Sequence, residues 1–283
     1  MNYRHIYHAG NFADILKHAI LVRLITYLKR KDKAFRVIDT HAGIGLYDLS
    51  SDEAQKTGEW REGIGRLMEA PMGDEERALL APYLDVVAGF NEGGRLERYP
   101  GSPLLVRALL RKQDRLSAIE LHPDDYRELA GRFAGDHQVR VTMLDGWLAL
   151  GGHLPPKERR GIILVDPPFE APGEYERMVE GLGAAYRRFA GGIYALWYPL
   201  KMGAPIGRFH ANLAALGIPR MLVAELSVTG GGAEAGLSGS GLVIVNPPYT
   251  LVDELEILLP RLCAILRQSE GASWRVNWLR GEE

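Results

Sequence analysis

The chain has 283 residues, 46% hydrophobic and 25% charged, with a formal net charge of −2 at neutral pH; this is the balance of an ordinary globular protein with enough apolar surface for one large core. No apolar run approaches the ~18 residues of a membrane span, and the charged start around Arg4, Asp14 and Lys17 leaves no room for an export signal. The single cysteine, Cys263, excludes an internal disulfide and a multi-cysteine zinc site, so a cytoplasmic protein with no membrane partner is expected.

The first 36 residues hold eight Lys or Arg against two Asp. A basic arm beside a site would attract phosphates, although a solvated helix end accounts for Lys29, Arg30, Lys31 and Lys33 as well. Asn11 as a cap, with Asp14 three residues on, opens a long amphipathic helix whose apolar side is Ile15, Leu16, Ala19, Ile20, Leu24, Tyr27 and Leu28. Short apolar runs then alternate with helical patterns at residues 35–38, 116–121, 139–143, 162–165 and 193–197, and these read as buried parallel strands.

Between the first two of these strands lie about eighty residues, far more than one crossover helix needs. Residues 51–98 are therefore expected to form a small helical insertion subdomain on a core made of residues 1–50 and 99–283. Ser102 and Pro103 read as the cap and first turn of a helix through Leu110, which restores the crossover. Runs 221–228 and 241–245 flank a glycine-rich stretch and suggest an antiparallel hairpin closing the sheet. That stretch, 229–240, reads as a plain hairpin loop or as a substrate-side lid. The expected fold is α/β and Rossmann-like, a seven-stranded, mostly parallel sheet with one antiparallel strand.

The most specific segment is the strand from Gly161 to Val165 running into Asp166, Pro167, Pro168 and Phe169. Open α/β sheets carry out their chemistry beyond the carboxyl ends of the strands, where Asp166 falls. An exocyclic amine such as adenine N6 is a poor nucleophile, because its lone pair is delocalised into the ring; it needs acceptors that hold its hydrogens. Asp166 and the Pro167 carbonyl are candidates, the prolines aim the backbone, and Phe169 offers a stacking face. The plain alternative is a Pro-Pro turn with a buried aromatic. A second copy, Asn246-Pro247-Pro248-Tyr249, matches the same form. Order favours the first: Asp166 ends the fourth strand, near the sheet's switch point, and Asn246 ends the seventh.

Upstream, the run from Asp39 through Thr40, His41, Ala42 and Gly43 to Gly45 has an acid at a strand end and two glycines for close backbone approach, the form of a cofactor loop. Glu120 ends the second strand, where a carboxylate can accept ribose hydroxyls. Asp145 and Gly146 end the third, suited to an adenine amine and ring edge. Any one of these acids alone is ordinarily a solvated strand terminus or a cap; their ordered recurrence is the signal. No P-loop motif is present, and nothing marks a hydride-transfer partner for NAD.

These residues in this order resemble the class I S-adenosylmethionine-dependent methyltransferases and, more narrowly, the bacterial 23S rRNA adenine-N6 methyltransferase family called RlmJ. The resemblance spans the chain. It rests on Tyr3-Arg4-His5, His8-Ala9-Gly10-Asn11, Asp14-Ile15-Leu16-Lys17-His18, Asp39-Thr40-His41-Ala42-Gly43, Tyr99-Pro100-Gly101-Ser102-Pro103, Glu120-Leu121-His122-Pro123, Asp166-Pro167-Pro168 and Leu196-Trp197-Tyr198-Pro199. It implies that His18, His41, Gly43, Ser102, Glu120, Asp145, Gly146 and Asp166 surround S-adenosylmethionine with Lys17 nearby, that Tyr3 lies near the target base, and that S-adenosylhomocysteine is the product. It further implies 23S rRNA as partner, free or in an assembling subunit, and a monomeric enzyme.

Two departures stand out: Phe169 replaces the usual tyrosine, which keeps the stacking face, and His41 takes the place of the first glycine in the generic loop. His5, His8, His18 and His41 could suggest a metal site, but methyl transfer from a sulfonium needs none, and no metal is expected. Trp197 and Tyr198 could line a base pocket but are taken as core. The rivals are a DNA adenine-N6 methyltransferase and a noncatalytic RNA-binding protein on the same fold. The latter would bind no cofactor and tolerate Asp166→Ala.

Overall fold

The computed structural model describes residues 5–230 and 236–281. After a turn at His5–Tyr7 come helix α1 (Phe12–Lys29) and strand β1 (Arg36–Asp39). A short strand β2 (Leu46–Asp48) leads into α2 (Asp52–Thr57), a wide helical turn at Arg61–Gly65, α3 (Arg66–Glu69) and α4 (Asp74–Gly89), and β3 (Arg98–Pro100) returns to pair antiparallel with β2. Then follow α5 (Ser102–Leu109), β4 (Arg115–Glu120), α6 (Pro123–Arg132), β5 (Val139–Met143), α7 (Gly146–Gly152) and β6 (Gly161–Val165). The chain ends with α8 (Glu174–Arg188), β7 (Ile193–Lys201), α9 (Ile206–Ala215), β8 (Met221–Ser227), β9 (Leu237–Val245), α10 (Leu251–Leu266) and β10 (Ser273–Arg280).

The sheet order is β10-β8-β9-β7-β6-β1-β4-β5. β5, β4, β1, β6 and β7 pair parallel, and their inner residues, such as Ile162 to Val165, are buried on both faces because helices cover both. β9 lies antiparallel between β7 and β8, as the hairpin reading expects. The sheet has eight strands, not seven. The eighth, β10, pairs antiparallel with β8 at the edge, and its alternating Trp274, Arg275, Val276, Asn277 and Trp278 stay partly exposed, so it lacks the continuous apolar run that marks the inner strands.

Two expectations at helix level need correction. α1 is not amphipathic but buried nearly all round, between the sheet and helices α4, α5 and α10. Its polar residues are paired inside: Arg23 makes a bidentate contact with Glu254 (2.8 and 3.1 Å), and Asp14 and Lys17 face each other. Asn11 does cap it, accepting from the amides of Ala13 and Asp14. α5 is capped by Gly101 rather than Ser102, whose hydroxyl donates instead to Asp39 Oδ2 at 2.6 Å.

The helices between β2 and β3 share the main core: Ile64, Leu67, Leu80, Tyr83 and Val87 join the cluster that holds Ile15, Leu16 and Leu24 of α1. At Gly63 the backbone comes so close to Gly10 that a Cβ would stand 2.1 Å from its carbonyl oxygen. The lysine-rich end of α1 is not near the carboxyl ends of the strands. α1 begins at that end of the sheet and runs about 27 Å to the other, where Arg111 ties the carbonyls of Lys29, Lys31 and Lys33. The solvated-end reading is therefore the one that fits.

Candidate active site

A cavity of about 930 Å³ opens at the carboxyl ends of the parallel strands, roofed by the start of α1, in the crevice where such sheets hold ligands. The strand ends and the turns that follow them supply its lining. β1 ends in Asp39, fully buried, which accepts from Ser102 Oγ; burial pushes its carboxyl up to about 7. His41 follows, its Nδ1 2.8 Å from Thr40 Oγ1. Because the Thr40 hydroxyl donates its one hydrogen to the Leu164 carbonyl, it must accept from His41 Nδ1–H, which leaves the other ring nitrogen an acceptor. Burial pushes His41 down to about 4, keeping it neutral.

β4 ends in Glu120, whose two oxygens accept from the amides of Gly43 (2.8 Å) and His122 (2.7 Å). Each oxygen keeps a lone pair for a ligand hydroxyl, and burial raises its carboxyl. Beyond β5, Asp145 caps α7 through the Trp147 amide (2.8 Å) and lies 3.5 Å from Arg177. Gly146 packs against the β1 turn so closely that a Cβ would stand 2.3 Å from the Thr40 carbonyl oxygen. His18, 1% exposed, bonds through Nδ1 to the Tyr99 hydroxyl at 2.6 Å while its Nε2 has no partner among the described residues. Burial pushes this ring down to about 3.

β6 delivers Asp166. Its Oδ2 lies 2.5 Å from Lys17 Nζ, which also lies 2.8 Å from Asp14 Oδ1. Burial works against the Lys17 ammonium, but the two carboxylates outweigh it and hold the lysine charged. Pro167 and Pro168 line the cavity beside Asp166, and Phe169, at φ 52°, turns its ring against Tyr175 (4.7 Å) and Trp197 (5.8 Å).

Thus Lys17, His18, His41, Gly43, Ser102 and Glu120 border the same cavity as Asp145, Gly146 and the Asp166–Phe169 loop. Tyr3 lies outside the described residues. Trp197, taken as core from the sequence, lines the cavity beneath Lys17, whose ammonium is 6.0 Å from the ring; its place at the end of a parallel strand was the available signal. Tyr198 is core, its hydroxyl donating to Glu225 at 2.6 Å. Asp14 and Glu59 also border the cavity, and neither followed from strand-end logic. The side chains of His5 and His8 contact Asp14 and Glu59 respectively.

The second Pro-Pro copy is elsewhere. β9 runs antiparallel, so its last residue, Val245, sits beside Tyr194 and Met221 at the starts of β7 and β8. Asn246 (φ 54°) donates its side-chain amide to the carbonyls of Ala190 (2.8 Å) and Gly192 (2.7 Å), and Tyr249 is 75% exposed. This copy is a turn at the far end of the sheet.

A family model described as "Ribosomal RNA large subunit methyltransferase D, RlmJ" matches residues 32–280. The chain belongs to the RlmJ family. It is 44% identical over 279 residues, 99% of each chain, to a protein of Escherichia coli named ribosomal RNA large subunit methyltransferase J. A Haemophilus influenzae protein of the same name is 42% identical over the whole of both chains. Among solved structures, a Legionella pneumophila protein superimposes with a TM-score of 0.86 at 34% identity, covering 95% of this chain and 98% of that one. The RlmJ match begins after α1, yet α1 carries Lys17 and His18 into the cavity.

Proposed function

We propose that the chain transfers the methyl group of S-adenosylmethionine to N6 of an adenine in 23S rRNA. The observation that carries the reading is Asp166, held by Lys17 at the end of β6, in a cavity whose other strand ends present Glu120 and Asp145. The names of the two curated relatives support the substrate class. The cavity volume, at the upper end of the ~300–1,000 Å³ typical of ligand pockets, accommodates a nucleoside cofactor together with an extruded base.

The residues fit the cofactor on their own chemistry. Glu120 keeps acceptor capacity for the ribose hydroxyls, Asp145 for the adenine amine, and Nε2 of His18 is a buried polar atom with no partner among the described residues. Gly43 lets the backbone approach, and Ser102, His41 and Gly146 close the wall around it. When bound, S-adenosylmethionine supplies an electrophilic methyl group. Lys17 grips Asp166 by Oδ2, so its other oxygen and the Pro167 carbonyl are the acceptors for the two N6 hydrogens; holding them frees the nitrogen lone pair for in-line attack. The excess proton on the methylated nitrogen passes to Asp166 or to water. Phe169 and Trp197 flank the base. Tyr3 near the base, action as a cytoplasmic monomer on free or assembling rRNA, and residues 51–98 as an insertion on a core of 1–50 and 99–283 belong to the same reading.

The test is incubation with methyl-labelled S-adenosylmethionine and unmodified large-subunit rRNA or DNA, followed by digestion and mass spectrometry of nucleosides. Label in N6-methyladenosine from RNA is expected. Label in DNA alone, or in another nucleoside, overturns the substrate; cofactor binding that is absent together with label favours the noncatalytic rival. Asp166→Ala is expected to abolish turnover in a folded protein, and near-normal methylation by that variant would sink the mechanism.

A further inference from the structure

Lys17 does not serve Asp166 alone. Its ammonium bridges two carboxylates, Asp166 at 2.5 Å and Asp14 at 2.8 Å, and all three side chains border the cavity. Asp14 is 1% exposed and stands one helical turn before Lys17 on α1. Its other oxygen receives the Gly10 amide at 2.9 Å and lies 2.9 Å from His5 Nε2. Through Lys17, one carboxylate thereby joins the segment that leads into α1, the helix itself and the catalytic loop, 149 residues beyond Lys17.

We propose that Asp14 is a positioning residue for methyl transfer, fixing the Lys17 ammonium so that Asp166 is held at one oxygen and its other oxygen stays open to the substrate amine. The inference rests on the proposed role of Asp166. Two physical effects follow from the geometry. The first is orientation: a lysine has four rotatable side-chain bonds, and an anchored carboxylate on the same helix face removes that freedom before substrate arrives. The second is charge. Shared between two anions, one ammonium neutralises neither, so Asp166 keeps more of its acceptor strength toward the amine than it would as the sole partner of Lys17. The buried position of Asp14 makes the sharing strong, since few water dipoles screen it. Among the described residues, the other titratable groups that feel the pair are His5, His8, His18, Glu59, Tyr83 and Tyr99 around Asp14, and Asp39 and His41 at the end of β1 beside Asp166.

The test compares wild type with Asp14→Asn, which keeps an acceptor for the Gly10 amide and removes the charge. Fold and cofactor affinity are checked by circular dichroism and calorimetric titration of S-adenosylmethionine. The expected result is a kcat lower by about tenfold or more with KM for RNA nearly unchanged, and an acid limb of the kcat–pH profile displaced to lower pH, because Asp166 then has an undivided ammonium. A variant that folds and binds cofactor with unchanged kcat and an unmoved acid limb overturns the proposal. If Asp14→Asn does not fold, Asp14→Glu retains the charge and displaces it by one methylene; wild-type kcat in that variant would equally overturn the proposal, whereas a fall in kcat supports it. Wild type that fails to methylate any RNA adenine refutes the functional reading itself, a separate outcome from either variant.

Discussion

At the scale of single residues, the same tetrapeptide form has two fates in this molecule. Asp166 faces the cavity with a lysine; Asn246 spends its amide hydrogens on two backbone carbonyls. Asn246→Ala should therefore cost about 1–3 kcal/mol of stability, from two lost hydrogen bonds and a positive φ that alanine tolerates poorly, while kcat per folded molecule stays near wild type. Urea denaturation beside single-turnover kinetics measures both, and a selective loss of catalysis would mean that the wrong copy was assigned. The strand-end residues Asp39, Glu120, Asp145 and Asp166 were legible in the sequence because each directly follows an apolar run. The pairing of Lys17 with Asp14 and Asp166 was not, since charged residues on a helix read as a solvent face unless their buried partners are known.

Among elements, the packing of α7 against the turn after β1 decides the shape of the cofactor wall. The first residue of α7, Gly146, has no room for a methyl group: its Cβ would lie 2.3 Å from the Thr40 carbonyl and 2.9 Å from His41 Nε2. Gly146→Ala is expected to destabilise the fold by about 1–3 kcal/mol, as overpacking does, and to weaken S-adenosylmethionine binding by shifting His41. Calorimetric titration checks the second effect, and unchanged affinity would show that the wall adjusts elsewhere. The inner strands were readable because double burial leaves them uniformly apolar. β10 and the β2–β3 ribbon escaped for the opposite reason: an edge strand and a three-residue ribbon carry mixed side chains that satisfy no period. α1 was found, but its all-round burial was hidden by ion pairs with residues far along the chain.

For the molecule as a whole, the site makes stability depend on pH through groups of opposite sign. His18 and His41 are depressed by burial to about 3 and about 4, so the unfolded chain takes up protons near 6.5 that the folded chain refuses. Their contribution is complete above that pH and is lost as pH falls toward 4. Asp39 works the other way: raised by burial to about 7, it keeps its proton in the folded state after the unfolded chain has released it, so its contribution is lost as pH rises from near 4 through 7. Asp39→Asn removes one of the opposing groups, which include the raised carboxyl of Glu120, and the decline of stability on acidification should steepen. Urea midpoints at about pH 5, 6 and 7 read the slope, and a slope unchanged from wild type would contradict the assignment of Asp39.

The burial of α1 has a practical consequence for anyone cutting the gene. A piece beginning at residue 32, where the family match starts, would look like a complete catalytic domain on paper. It would lack the helix on which one face of the sheet and the insertion both rest, laying bare the apolar surfaces that Ile20, Leu21 and Leu24 cover, and it would leave Asp166 without its Lys17 counter-ion. Such a fragment belongs in the inclusion-body pellet, and a tag placed directly before Phe12 would intrude on the active-site roof.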